Sequence, residues 1–384
     1  MIRRIKINAW RQDADFRKSF YIFSLSKIII LVIGILATLL IPAAVTHRQI
    51  VTENWFLNAW AQYDARAYLD IAQNGYNAQF PGGGNYAWYP LYPLLIKIFS
   101  FIGYDLSAFL ISNIASFIAI FYLFRLVKEE FGNKIAKKTI LYLSFFPTVY
   151  FLTAMYAESM LLMLTVMSFY YAKKDKWIHA CVLGLFASMT RIQGALLFFP
   201  IAYMYCRSRN FNLMSIGKRS LSLLLIPLGA LIVMLYHYAV TGNAFIQFST
   251  QAAYGRVLAA PWKSFETAIL NIISPTSTEY LLYNAFNLVM ALGFIFLAVY
   301  SFRLLKKEYG IYFLISMLVP ISSMTLLSIS RHDLVMFPAF IVMAKMAEKK
   351  KYGIALGVIY VVFFALLLFF TARHVNEWFL FSVV

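Results

Sequence analysis

The sequence predicts an all-α polytopic membrane protein, read as a single integral membrane domain over 1–384. Three observations carry this. Of the residues, 62% are hydrophobic and only 13% charged, where soluble proteins average roughly 45–50% and about 25%. Mean hydropathy is +0.71, which excludes a disordered chain and an ordinary soluble enzyme. Apolar runs near or above about 18 residues recur from end to end, with the charges in short clusters between them.

The first run, about Tyr21–Val45, follows the cationic start MIRRIK. It is longer than the ~7–15-residue core of a secretory signal, so a retained anchor is expected. Further runs lie near Leu106–Phe124, Thr139–Leu152, Met155–Ala172, Ile178–Thr190, Ala195–Tyr205 and Leu221–Val240. The rest lie near Leu281–Phe302, Ile311–Ile329, Leu334–Ala344 and Ile354–Thr371, about eleven spans in all. Several fall short of the ~20 residues a full crossing needs, so they thin the bilayer or end at a water-filled cavity.

Charge sets the topology. With the N-terminal segment 1–20 in the cytoplasm, segments 125–138, 173–176, 207–219, 303–307 and 345–351 share its side, and Lys27 stands at the base of the first span. Only eight of the 34 Lys and Arg then face outward: Arg48, Arg66, Lys97, Arg191, Arg256, Lys263, Arg331 and Arg373. That side holds the two longest loops, 46–105 and 242–280, as the positive-inside rule requires. The net charge of +18 therefore reports a lipid bilayer as partner and no nucleic acid. Cys181 and Cys206 build no disulfide framework, the five histidines are scattered, and neither a metal site nor a cofactor is expected.

The costly residues gather on the outer side. Glu158 lies in AMYAESMLL, Arg191 in SMTRIQG, and Arg331, His332 and Asp333 in SISRHDL, each at the outer end of an apolar run. A charge at membrane depth costs about 2.5–3.5 kcal/mol on insertion scales, so it faces a cavity or a partner. Asp64, in the first outer loop, lies on the same side. A polar outer cavity between helices is the expectation, with loop 242–280 as its cap.

The first loop has helical spacing at Trp60, Tyr63, Ala67 and Ile71, which predicts an amphipathic interfacial helix ended by Gly75. Asp64 and Tyr68 share one face, and Arg66 and Asp70 are expected to pair. The glycines of FPGGGNYAWYPLYP form a hinge and not a phosphate loop, because no GK[ST] follows. Trp88, Tyr89 and Tyr92, stiffened by Pro90 and Pro93, read either as an interfacial aromatic belt or as a platform for a sugar ring or isoprenoid tail.

Four segments resemble one family. Trp60-x-x-Tyr63-Asp64-Ala65-x-x-Tyr68-Leu69-x-Ile71-Ala72-x-x-Gly75-Tyr76, then Ala87-Trp88-Tyr89-Pro90-Leu91-Tyr92-Pro93, is similar to the first luminal loop of the PIG-V type mannosyltransferases (GPI mannosyltransferase 2 and its prokaryotic relatives). Ala154-Met155-Tyr156-Ala157-Glu158-Ser159, Thr190-Arg191-Ile192-Gln193-Gly194, and Ser330-Arg331-His332 with Phe337-Pro338 resemble its later motifs in the same order. The departures are Tyr63 for the family's Trp, Gln62 for its Arg, Ala157 for its Ser or Thr, and Ile192-Gln193 for its Ser-Asn.

The resemblance implies a GT-C type glycosyltransferase fold. It implies inverting transfer of a monosaccharide, mannose in that family, from a polyprenyl-phosphate donor to an extracytoplasmic glycan or glycolipid. Such a step needs a base for the acceptor hydroxyl and charge stabilisation for the leaving phosphate. Asp64 is the candidate base and Glu158 the second acid. Arg191 and Arg331 are candidate phosphate clamps, and Gln193, His332, Tyr68, Trp88 and Tyr89 candidate substrate contacts. The expected location is the bacterial cytoplasmic membrane with the site facing outward, or the endoplasmic reticulum membrane in a eukaryote. A lipid or glycolipid flippase is the alternative from another class, and a polysaccharide polymerase or ligase a third. Release of polyprenyl phosphate separates the first from the second, and donor type from the third.

Overall fold

A computed structural model describes residues 14–41, 51–212 and 217–376. Expectations for most of the 1–20 segment and for Arg48 lie outside the described residues. Within them, all regular structure is helical. The order is α1 Ala14–Leu40, α2 Trp55–Trp60, α3 Asp64–Asn74, α4 Leu91–Ile98, α5 Tyr104–Phe131, α6 Asn133–Ser144, α7 Glu158–Ala172, α8 Trp177–Thr190 and α9 Phe198–Ser208. It continues with α10 Leu225–Thr241, α11 Ile246–Ala252, α12 Pro261–Ile273, α13 Thr278–Leu304, α14 Lys307–Ile321, α15 Ile329–Asp333, α16 Pro338–Met346 and α17 Lys350–Val375.

Among the described residues, five helices are long and apolar enough to cross a membrane: α1, α5, the stretch Arg219–Thr241 that contains α10, α13 and α17. The other apolar runs become helices of 9 to 15 residues, about 14–23 Å long against a hydrocarbon core of ~30 Å. The remaining runs of the about eleven expected are thus helices too short for a straight full crossing. Proline accounts for part of the shortfall: Pro147 follows α6, Pro320 sits in the last turn of α14, and Pro338 opens α16.

Helix α5 packs along α7, α8 lies between α7 and α10, and α1 between α17 and α5. Exposed Val289, Leu292, Phe296 and Val299 line one face of α13, at the spacing of a lipid-facing helical stripe.

The segments assigned by charge to one side meet at one end of the bundle. Lys173 pairs with Glu308 and, at 2.7 Å, with Glu130. Arg207 reaches Glu308 at 3.1 Å, and Lys306 reaches Glu130 at 3.6 Å. Lys128 holds Asp15 at 2.6 Å. Lys345 donates to the Leu304 carbonyl at 2.7 Å, and Lys138 to the Ala347 carbonyl at 3.0 Å. Glu158 opens α7 and Lys173 follows its last residue, so roughly 22 Å of helix separates this end from the other.

Lys27 is placed differently from the expectation. It lies well inside α1, roughly 20 Å from its start, because the helix begins at Ala14. Its amine is buried and donates to the Leu152 carbonyl at 2.7 Å and Thr153 Oγ1 at 2.8 Å.

Candidate active site

At the end of the bundle opposite the basic cluster, four predicted charges converge. Asp64 comes from an elbow between α2 and α3. Asn54 caps α2 by accepting from the Phe56 and Leu57 amides, both at 3.1 Å. The predicted helix does not run through from Trp60: the chain breaks at Ala61–Tyr63, and Tyr63 takes φ 54°. Two tertiary hydrogen bonds pull the backbone there. Met155 N donates to Trp60 O at 3.1 Å, and the Tyr156 hydroxyl donates to Gln62 O at 2.8 Å. Helix α3 then starts at Asp64, where the helix dipole favours a carboxylate, and ends at Gly75, whose amide donates to Ile71 O. The helix buries Ala65, Ala67, Tyr68, Leu69, Ile71 and Ala72, so protein packs around it on more than one face.

Glu158 is the first residue of α7 and is fully buried. The turn before it is fixed from several sides. Lys27 holds Leu152 and Thr153, Asn113 donates to Thr153 O at 3.0 Å, and Ser112 donates to Tyr156 O at 3.0 Å. Arg191 sits at the end of α8 in extended backbone. The chain then folds back so tightly that a Cβ on Gly194 would lie 2.0 Å from the Ala187 backbone; only glycine fits. Arg331 comes from the short helix α15, which is pinned by Thr148 Oγ1 donating to Ser330 O at 2.8 Å and by Ser328 N donating to the Tyr283 hydroxyl at 2.8 Å.

These side chains form one ionic cluster. Arg331 donates from Nε to Glu158 Oε1 and from NH1 to Asp64 Oδ2. Arg191 NH1 donates to the same Glu158 oxygen. The Arg331 guanidinium also lies over the rings of Tyr156, 4.5 Å from its centroid, and Phe151, at 5.2 Å. Asp64 keeps 29% of its side-chain surface exposed, and Arg191 16%, against none for Glu158. Asp64 is thus the more exposed carboxylate of the two. Burial opposes its ionisation, but Arg331, with Arg191 and Arg256 behind it, holds the carboxyl below its ordinary range.

His332 lies against Gln193 and Arg256. Its Nδ1 is 2.9 Å from the Gln193 amide, and its Nε2 is 3.2 Å from Arg256 NH1. Burial, then Arg191, Arg256 and Arg331, push its pKa well down, so the ring is neutral. Arginine only donates, so Nε2 accepts and Nδ1 carries the proton. The Nδ1–H then needs the Gln193 oxygen as partner, which gives the buried Oε1 a donor it otherwise lacks. The His332 lone pair is occupied, so the ring positions Arg256 and is no free base. The neighbouring Asp333 carboxyl is fully buried with neither oxygen hydrogen-bonded, and burial raises its pKa far above the carboxylate range.

Tyr68 is buried edge-on to Tyr92 at 5.0 Å; burial, then Glu158, raises its phenol pKa. Tyr89 is buried and hydrogen-bonds Gln247; burial pushes its hydroxyl up to about 12. Trp88 stands edge-on to Phe80 at 5.7 Å and to Tyr254 at 5.6 Å. Gly82, Gly83 and Gly84 all adopt positive φ, and Asn85 N closes their turn on Asn77 O at 3.1 Å. The expected Arg66–Asp70 pair is not made. Arg66 donates to Gln62 Oε1 at 3.0 Å, while Asp70 accepts from Asn74, Asn77 and Asn85 at 2.8, 2.9 and 2.6 Å.

Arg256, Tyr254 and Gln247, all from the second loop, and Lys27 from α1 were not read as site residues from sequence. Charge parity alone placed Arg256 on the outer side. Among the described residues, no three His, Cys, Asp or Glu side chains group to hold a metal ion.

No protein-family model matches the chain, and no curated protein matches it. Among solved structures it is similar to the oligosaccharyltransferase AglB from the archaeon Archaeoglobus fulgidus, in complex with an inhibitory peptide and a dolichol-phosphate. The two share 12% identity with a TM-score of 0.43, over 92% of this chain and 55% of that one. This chain therefore spans about half the length of that protein.

Proposed function

We propose that the chain is a GT-C type glycosyltransferase. It moves a monosaccharide, mannose by the motif resemblance, from a polyprenyl-phosphate donor to a hydroxyl of an extracytoplasmic glycan or glycolipid. The observation that supports this is a partly exposed carboxylate, Asp64, held ionised by Arg331 beside two further guanidinium groups. A base and a cationic bed for a leaving phosphate are what the step needs. The separation of this site from the basic end supports a cytoplasmic N-terminus and an outward-facing site.

In the proposed step the acceptor oxygen attacks the anomeric carbon and its proton passes to Asp64. The bond from that carbon to the phosphate oxygen breaks, and polyprenyl phosphate leaves with the electron pair beside the arginines. Glu158 positions Arg331 and Arg191. The guanidinium of Arg331 stands between the two carboxylates that a metal would need, so activity in EDTA is expected. The test uses the purified full chain with a panel of polyprenyl-phosphate sugars and a short glycolipid acceptor, read by mass spectrometry. Expected is release of polyprenyl phosphate together with a glycosylated acceptor. Intact donors throughout, with lipid flipping in reconstituted vesicles, would instead establish the transporter.

A further inference from the structure

Three guanidinium groups, Arg191, Arg256 and Arg331, share one site with two carboxylates. Glu158 engages Arg331 and Arg191, and Asp64 engages Arg331. Arg256 is different. Its hydrogen-bond partners among the described residues are neutral: His332 Nε2 and Leu327 O, each at 3.2 Å. With His332 neutral, the cluster carries one surplus positive charge, and Arg256 bears it. Asp64 attracts it from beyond hydrogen-bonding reach, and a partly buried cation without a hydrogen-bonded counter-ion is costly.

That cost is structurally maintained. Two residues before Arg256, the Tyr254 hydroxyl donates to Pro81 O at 2.8 Å and its ring packs edge-on against Trp88. Gly82 lies so close that a Cβ there would stand 2.5 Å from the Tyr254 hydroxyl. Beyond Arg256, Ala259 N donates to Ser322 O at 3.0 Å. The second loop is thereby latched to the glycine turn of the first and to the end of α14. A guanidinium fixed this way, with donors left over and no carboxylate among its hydrogen-bond partners, matches an anion with several oxygens, which it binds in bidentate fashion.

We infer that Arg256 is the contact for the phosphate of a lipid phosphate, with Tyr254 as the positioning residue that sets the loop. The lipid carrier rests on the glycosyl-transfer reading, whereas the anion site rests on the cluster itself. The probes are farnesyl phosphate, farnesol and inorganic phosphate, titrated calorimetrically against the detergent-purified full chain. Wild type is expected to bind farnesyl phosphate well ahead of both others. Arg256→Gln should weaken that binding roughly ten- to a hundredfold, the range for a charged hydrogen bond. Arg256→Lys should recover part of it, and Tyr254→Phe should weaken it by less. Size-exclusion profiles and melting temperatures confirm that each variant folds.

Equal binding by wild type and Arg256→Gln would overturn the inference. Inorganic phosphate binding as tightly as farnesyl phosphate would overturn its lipid part. A parallel assay of donor turnover keeps the two readings apart. If sugar transfer proceeds and Arg256→Gln leaves the donor KM unchanged, the inference fails and the transferase stands. If wild type transfers nothing and binds no farnesyl phosphate, both fail.

Discussion

Arg331 donates to Asp64 across 267 residues of sequence, joining the start of α3 to the short helix α15. The same guanidinium holds Glu158 through its Nε. One side chain therefore fixes the distance between the exposed carboxylate and the buried one, and the site is assembled only when α15 docks against the turn before α7.

Because Asp64 is the partly exposed carboxylate, Asp64→Asn is expected to remove the proton acceptor and leave the packing. Turnover should fall about 10²–10⁴-fold, the usual range for general-base catalysis. An amide oxygen still accepts from Arg331, so the melting temperature should move only a few degrees. Transfer measured alongside thermal unfolding checks this, and near-normal turnover would remove Asp64 from the role.

Glu158→Gln should behave in the opposite way. Glu158 is fully buried and pairs with both Arg191 and Arg331. Removing one partner from a buried pair leaves an uncompensated charge and costs about 3–5 kcal/mol. The expected result is a marked loss of thermal stability together with activity. A variant as stable as wild type would show that the charges of the two arginines are met elsewhere.

The sequence carried the cost of a charge, and not its partner. Glu158, Arg191 and Arg331 stood out because each interrupts an apolar run, where an ion is expensive. Arg256 did not, because a cation in a polar loop is unremarkable until the loop folds over a site. Asp70 was matched to Arg66 by helical spacing, but Asn74 at the end of the same helix and Asn77 and Asn85 from the following turn and glycine loop reach it. The break at Tyr63 was hidden for a similar reason. Hydrophobic spacing runs through it, and only contacts from Met155 and Tyr156 bend the chain.

The pH dependence has two limbs. Arg331 leads the arginines that hold Asp64 below its ordinary range, against the effect of burial. The base form should therefore persist until pH falls below about 3.9, the free aspartate value. The stability it contributes is present above that unfolded value and is lost as pH falls through the folded one. Arg256 sits at the other limb. Burial, then repulsion from Arg191, pushes it down to about 10. Its charge is present below that value and lost above it, so donor KM should rise as pH passes about 10. Initial rates from acid to pH 10.5 test both limbs, and Arg256→Gln should abolish the alkaline rise in KM.

Lys27 offers a test of how the site is held from within the membrane. Its amine donates to Leu152 O and Thr153 Oγ1 and lies 5.4 Å from the Phe23 ring centroid. Leu152 O also accepts from Ser159 at 3.1 Å, one residue after Glu158. Lys27→Met keeps the apolar stem and removes the donors. Hydrogen bonds contribute about 0.5–1.5 kcal/mol each, so the variant should unfold earlier and exchange amide hydrogens faster across 149–158. Lys174→Met is the control: Lys174 is exposed and pairs with Glu129, an interaction of at most about 1 kcal/mol. It should change neither readout. If Lys27→Met leaves exchange across 149–158 unchanged while activity falls, Lys27 does not act by holding this turn, and its amine must bear on the site by another route.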